Sequence, residues 1–317
     1  MINIKNHDSI GTIKNDILSV LVYFDIFNYP LTRIEIISFL SNKYSEVKFN
    51  NALQDLCNSS HIYKLGEYYC LKNSLDLEKR RKTGNKKAKK MMATAKKVCY
   101  LLSAFPYVRG VGISGSLSKN FADERSDIDL FIITAKNRLW IARSFLHIIL
   151  KLSTLIKKQH FFCMNYYIDE AALEIQEKNI YTAIEIATLI PLRGISTFDK
   201  FFFANNWVKK MFPNNYMNIS TTKSNKTNPV KWFIEMILNN SLGNLIDTAL
   251  MKITAKRWNK RTADKVLTKS GLLFSIQSDK HYAKHDPSTF QDGIVSLHKT
   301  RLSEILTSKN MKYKAVN

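Results

Sequence analysis

The segment VRGVGISGSLSKNFADERSDIDLFIIT, residues 108–134, sets the narrowest limits on the fold. Val108–Ile113 is an apolar run of strand length, and Gly115-Ser116 after it reads as a turn opening a short helix. Asp127–Thr134 is a second strand-length run, DIDLFIIT, that begins in alternation. Strand, turn, helix, loop and strand in this order call for a sheet with helices on its faces. The expected class is α+β: a mixed sheet flanked by helices.

The same segment concentrates the polar chemistry. Asp127 and Asp129 are two apart on a predicted strand, so their side chains share a face. Two adjacent carboxylates repel unless a cation lies between them, and such a pair suits Mg²⁺. A pair of carboxylates can hold two ions, the arrangement used for in-line phosphoryl and nucleotidyl displacement. Gly115 lets the backbone approach a phosphate closely, Ser116 offers a hydroxyl and an N–H, and the helix start adds partial positive charge. Lys119 adds a point charge for a triphosphate, and Ser126 is placed to orient Asp127 by a hydrogen bond. Arg125, Asp123 and Glu124 read as solvated, and Arg138 as a surface residue at a helix start.

Gly-Ser, ten residues, then Asp-Ile-Asp inside an apolar strand resembles the signature of the nucleotidyltransferase superfamily that includes DNA polymerase beta. GSLSKNFADERSDIDLFII is similar to the form found in bacterial minimal nucleotidyltransferases. The resemblance implies that Gly115 and Ser116 bind nucleotide phosphates and that Asp127 and Asp129 bind Mg²⁺, two ions in all. The implied activity is transfer of a nucleoside monophosphate from an NTP such as ATP to a hydroxyl on a protein, a small molecule or a nucleic acid end. The family usually adds a third carboxylate from a later strand. Here the next apolar strand is FFCMNYYIDE from Phe161, and its central polar residue is Asn165. An amide can ligate a metal but is no general base. Asp169 and Glu170 lie just past that strand. The alternative reading is a non-catalytic nucleotide-sensing or DNA-binding regulator on the same fold.

Around this catalytic region, 101–195, the chain divides into three more parts. Residues 10–75 read as three helices (from Ile13, Arg33 and Phe49) and a hairpin turned at Gly66-Glu67, with Thr32 capping the second helix. That element order resembles a winged helix-turn-helix. The third helix, FNNALQDLCNSS, has no Arg or Lys for base edges or phosphates, which favours a packing or dimerisation role. Residues 76–100 form a basic helix or linker: ten of the nineteen residues from Lys79 to Lys97 are Lys or Arg. Such a run is a solvated face or a contact for a nucleic-acid backbone. Residues 196–317 read as mainly helical, with helices over Asp199–Met211, Val230–Ile253 and Ser288–Leu306 and a polar loop from Asn214.

The formal charge of +22 favours polyanionic partners, although a bias toward Lys, Asn and Ile accounts for much of it. Cys57, Cys70, Cys99 and Cys163 have neither zinc nor redox spacing and read as small buried hydrophobes. The N-terminus has no signal-peptide pattern, and Arg143, His147 and Lys151 interrupt the longest apolar stretch, so the expectation is a cytoplasmic protein with no membrane span. His281 and His285 read as part of a loop entering the last helix. Phe201–Phe203 and Trp207 read as core or interhelical contacts, and Val230–Ile253 as an amphipathic helix packed on the protein, not on a membrane surface.

Overall fold

The computed structural model describes residues 10–155, 162–217, 228–266, 276–285 and 288–314. The N-terminal unit comprises helix α1 (Ile10–Asp25), strand β1 (Leu31–Thr32), helices α2 (Arg33–Ser38) and α3 (Glu46–Asn58), and the hairpin β2 (Tyr63–Leu65) and β3 (Tyr68–Cys70). β1 joins the hairpin in a three-stranded antiparallel sheet of order β1-β3-β2. Thr32 caps α2 through a capping box with Glu35, which satisfies two otherwise unpaired donors at the helix start. α3 begins three residues before the expected Phe49 and therefore carries one basic residue, Lys48.

The basic stretch is a single helix, α4 (Leu75–Ser103). Its buried residues Arg81, Gly84, Ala88, Ala95, Cys99 and Leu102 recur at helical spacing. Lys79, Lys82, Lys86, Lys89, Lys90, Lys96 and Lys97 are exposed, while Arg81 is only 3% exposed.

A six-stranded mixed sheet follows. It is built from β4 (Val108–Ile113), β5 (Ile128–Thr134), β6 (Phe162–Asp169), β7 (Ile190–Arg193), β8 (Ile276–Ser278) and β9 (Tyr282–His285), in the order β7-β4-β5-β6-β9-β8. β5 and β6 are parallel and the other neighbours antiparallel. A parallel pair needs a crossover, here through α6 (Leu139–Leu155). The short helix α5 (Gly115–Ser118) lies between β4 and β5, and α7 (Ile180–Thr188) between β6 and β7. Alternation along β5 divides the core. Leu130 and Ile132 pack with residues of α4 and α6, while Phe131 and Ile133 pack with α7, α8 (Ile195–Ala204) and residues of α1–α3. The latter cluster thus runs unbroken from the N-terminal unit into the sheet, and on to Ile294.

Three expectations for the C-terminal third are corrected. The helix expected over Asp199–Met211 is two, α8 and α9 (Trp207–Met211), and that over Val230–Ile253 is also two, α10 (Pro229–Leu238) and α11 (Ser241–Ala263). Both breaks fall at Asn-Asn pairs, whose amides compete with helical backbone bonds. Asn205 serves Ile175 N–H, Leu173 O and Phe201 O, and Asn240 caps α11 by accepting from Gly243 N–H. Second, the region is mainly helical as expected, but it also holds a hairpin that was not expected: β8 and β9 extend the central sheet before α12 (Ser288–Lys314). Third, Phe203 is 84% exposed, unlike its buried neighbours Phe201 and Phe202. Residues 218–227 of the expected polar loop lie outside the described residues. No helix among the described residues is long and apolar enough to cross a membrane.

Candidate functional site

β4 ends at Ile113, and the chain turns through Ser114, whose N–H bonds back to Asp129 O across the β4–β5 pair at 3.0 Å. Gly115 follows with φ +66°. A β-carbon here would lie 2.1 Å from Asp129 Oδ2, so only glycine lets the backbone pass this close to the carboxylate. Ser116 O accepts from the N–H groups of Lys119 and Phe121, closing the turn. α5 is only four residues long, which leaves the expected helix dipole little length over which to build.

Asp127 lies one residue before β5 and is exposed, Ile128 is buried, and Asp129 is half-buried. Asp129 alternates with buried Ile128 and Leu130, so it points away from the α4 side of the sheet, toward the face that α7 covers. Lys119 is at the site, with Nζ 2.7 Å from Glu185 Oε1 and 3.0 Å from Gly115 O.

Glu185 is the residue that sequence reasoning missed. It comes from α7, accepts from Gly115 N–H at 3.3 Å through Oε2, and pairs with Lys119 through Oε1. Its signal in the sequence is its isolation: it is the only charged residue in the apolar run IYTAIEIATLIPL. A lone acid on a helix that is otherwise buried needs a partner. Nearby, Tyr23 of α1 is held well above its usual pKa by burial and then by the charges of Glu185 and Tyr181, so it stays a neutral phenol. The Tyr29 hydroxyl donates to Lys119 O, and its ring meets Phe121 edge-on. The N-terminal unit thus walls one side of the site.

Several expectations fail on geometry. Ser126 does not orient Asp127: its hydroxyl donates to Asp123 Oδ1 at 2.9 Å and accepts from Asp123 N–H. Partial burial raises the Asp123 pKa, but bonds from Ser126 and Arg125 N–H outweigh this and hold it below the usual range. Arg138 is neither at the surface nor near Asp129. It is 4% exposed and binds Asn244 Oδ1, Leu238 O and Asn240 O, clamping the α10–α11 corner. Asp169 is fully buried at the opposite end of β6, paired in register with Thr134. Five residue steps along the strand separate Thr134 from Asp129, about 17 Å. There Asp169 accepts from Asn137 N–H, Ala171 N–H and His281 Nδ1, a structural role. His281 sits at the turn of the β8–β9 hairpin, not in a loop entering α12.

Asn165 lies in β6 beside the Asp129 end of β5, where the register shifts between Asp129–Cys163 and Phe131–Tyr166. Its side chain, like that of His285, is outside the described residues. Among the described residues, no three His, Cys, Asp or Glu side chains are grouped closely enough to hold a metal ion. Compared with protein-family models, curated proteins and solved structures, the chain matches none.

Proposed function

We propose that the chain is a Mg²⁺-dependent nucleotidyltransferase that moves a nucleoside monophosphate from an NTP to a hydroxyl acceptor. The observation that carries the reading is the seat made by Gly115 and Asp129: a left-handed glycine whose missing β-carbon leaves room beside a half-buried carboxylate. Asp127 lies two residues before it, exposed at the entry to β5. Mg²⁺ is commonly held by one or two carboxylates plus phosphate oxygens of the substrate, and this donor set fits it. When bound, the metal supplies neutralisation of charge at the transferring phosphate.

The chain's own groups have distinct parts. Gly115 gives a phosphate access to the backbone, and its N–H and the Ser116 hydroxyl are the donors. Lys119 is the cation. Glu185 occupies Gly115 N–H and Lys119 until an incoming triphosphate takes its place. The N-terminal unit, winged-helix-like in element order, serves as a wall of the site: Tyr29 and Phe121 join the two, and Arg80 stacks 4.3 Å over the Phe121 ring. The exposed lysines of α4 suit a nucleic acid acceptor, while an acceptor hydroxyl on a protein or small molecule needs none of them.

The second reading, a nucleotide sensor without catalysis, draws on Asn165 and on Glu185 occupying the phosphate donors. Calorimetric titration with ATP, GTP, CTP and UTP, in Mg²⁺ and then EDTA, tests the site. Metal-dependent binding that disappears in Asp127→Asn/Asp129→Asn is expected. A folded protein that binds no triphosphate sinks both readings. Labelled-nucleotide transfer to an acceptor, lost in the same variant, separates enzyme from sensor.

A further inference from the structure

α10 is built inside out. Its polar side chains face the protein: Glu235 accepts from Tyr107 N–H at 2.7 Å and pairs with Arg109, and Lys231 Nζ donates to Val108 O and Ser103 O. Burial pulls the Lys231 ammonium down to about 8, with Arg109 adding to the effect, as suits a cation turned inward. Its outward residues are all apolar. Val230, Trp232, Phe233, Met236 and Ile237 are 46–64% exposed, and α10 has no buried residue. A solvated helix normally shows the reverse.

α11 follows directly and has an exposed stripe of its own. Gly243, Asp247, Leu250, Thr254 and Trp258 recur at helical spacing on its inner side. The opposite stripe carries Leu242, Leu245 and Ala249 and then Lys252, Lys256 and Lys260, all exposed. The outward stripes of two helices joined at the Arg138 corner thus offer an aromatic and aliphatic patch and a row of lysines.

We propose that the α10–α11 face docks on an anionic lipid surface, with the apolar side chains of α10 and early α11 at the headgroup–acyl boundary and the lysine row against the headgroups. Aromatic and aliphatic residues beside cations are what an interfacial helix requires. A second copy of the chain is disfavoured, because each brings a formal +22 and its own lysine row to the contact. Nucleic acid would use the lysines and could stack on Trp232, but it has no use for Val230, Met236, Ile237 and Leu245. The inference is independent of the nucleotidyltransferase reading.

Co-sedimentation of the full chain with vesicles tests it, using phosphatidylcholine alone and phosphatidylcholine with phosphatidylglycerol. Binding to the anionic vesicles is expected, with a blue shift of emission that Trp232→Phe removes. Lys252→Glu/Lys256→Glu/Lys260→Glu is expected to weaken anionic partitioning about a hundredfold, at roughly fivefold per lysine. Trp232→Ser/Phe233→Ser should weaken it at least tenfold, a rough figure for the lost apolar contact. Lys89→Glu/Lys90→Glu/Lys96→Glu on α4, an equal change of charge, should leave most of the binding. The proposal is overturned by absent binding, or by equal loss in the α4 control, which would make the attraction a general effect of net charge. It is equally overturned if Trp232→Ser/Phe233→Ser dissolves a dimer, or removes binding to single-stranded DNA or to an acidic protein, while vesicles are ignored.

Discussion

Glu185 and Lys119 form an ion pair that is only 25% and 15% exposed at the side chains, close enough to Gly115 that the carboxylate also takes its N–H. Two donors suited to a phosphate therefore carry a resident anion. Glu185→Gln keeps the shape and weakens both bonds, so triphosphate affinity in Mg²⁺ should rise about tenfold, the equivalent of one charge-assisted hydrogen bond. Calorimetry reads this directly; weaker binding in the variant would mean that Glu185 supports the nucleotide. The meeting of Gly115, Lys119 and Asp129 was legible because one short segment carries all three. Glu185 was not, because a contact spanning 70 residues leaves no local spacing to read. Ser126 misled for the opposite reason. Adjacency to Asp127 suggested a bond, but a turn places its hydroxyl on Asp123.

Among the elements, α11 anchors the start of α6. Asp247 Oδ1 accepts from Ile141 N–H at 2.9 Å, and burial lifts the carboxyl to about 6 although the N–H groups of Ile141 and Trp140 and the charge of Arg138 pull the other way. A carboxyl raised in the fold binds its proton more tightly there than in the unfolded chain. Its contribution is complete below the ordinary value of 3.8 and is lost as pH rises through about 6. Asp247→Asn keeps the acceptor and removes the titration. Urea unfolding of the variant should lose this pH dependence between about 4 and 6 and show a gain of about 3 kcal/mol at pH 7. An unchanged profile would place the proton elsewhere. The strands of the motif and the helices of the N-terminal unit were legible from period and caps. The β8–β9 hairpin was not: strands of three and four residues, one with Lys284 buried against Glu177, show too little alternation to recognise. Nor were the breaks at the Asn-Asn pairs, since apolar spacing continues across both.

Over the whole molecule, Arg81 ties α4 to the N-terminal unit. Its guanidinium donates to Pro30 O at 3.0 Å and Glu35 Oε1 at 2.6 Å, and lies 3.8 Å over the Tyr29 ring. Lysine has neither the fork nor the flat face to replace it. Arg81→Lys should therefore cost about 2–3 kcal/mol, read as a lower urea midpoint. If the N-terminal unit melted alone while the sheet stayed folded, the two would be separate units despite their shared core. The charge run was legible as a helix, but not that its one buried cation is a structural clamp.

α1 rests on α12, where His298 Nε2 meets Ser19 O at 2.9 Å, a contact spanning 279 residues. During synthesis α1 must therefore wait for 279 further residues to be made before this neighbour exists. Until then, part of its apolar surface is open to solvent and to the wrong partners, and α1 is where a holding chaperone would be needed longest.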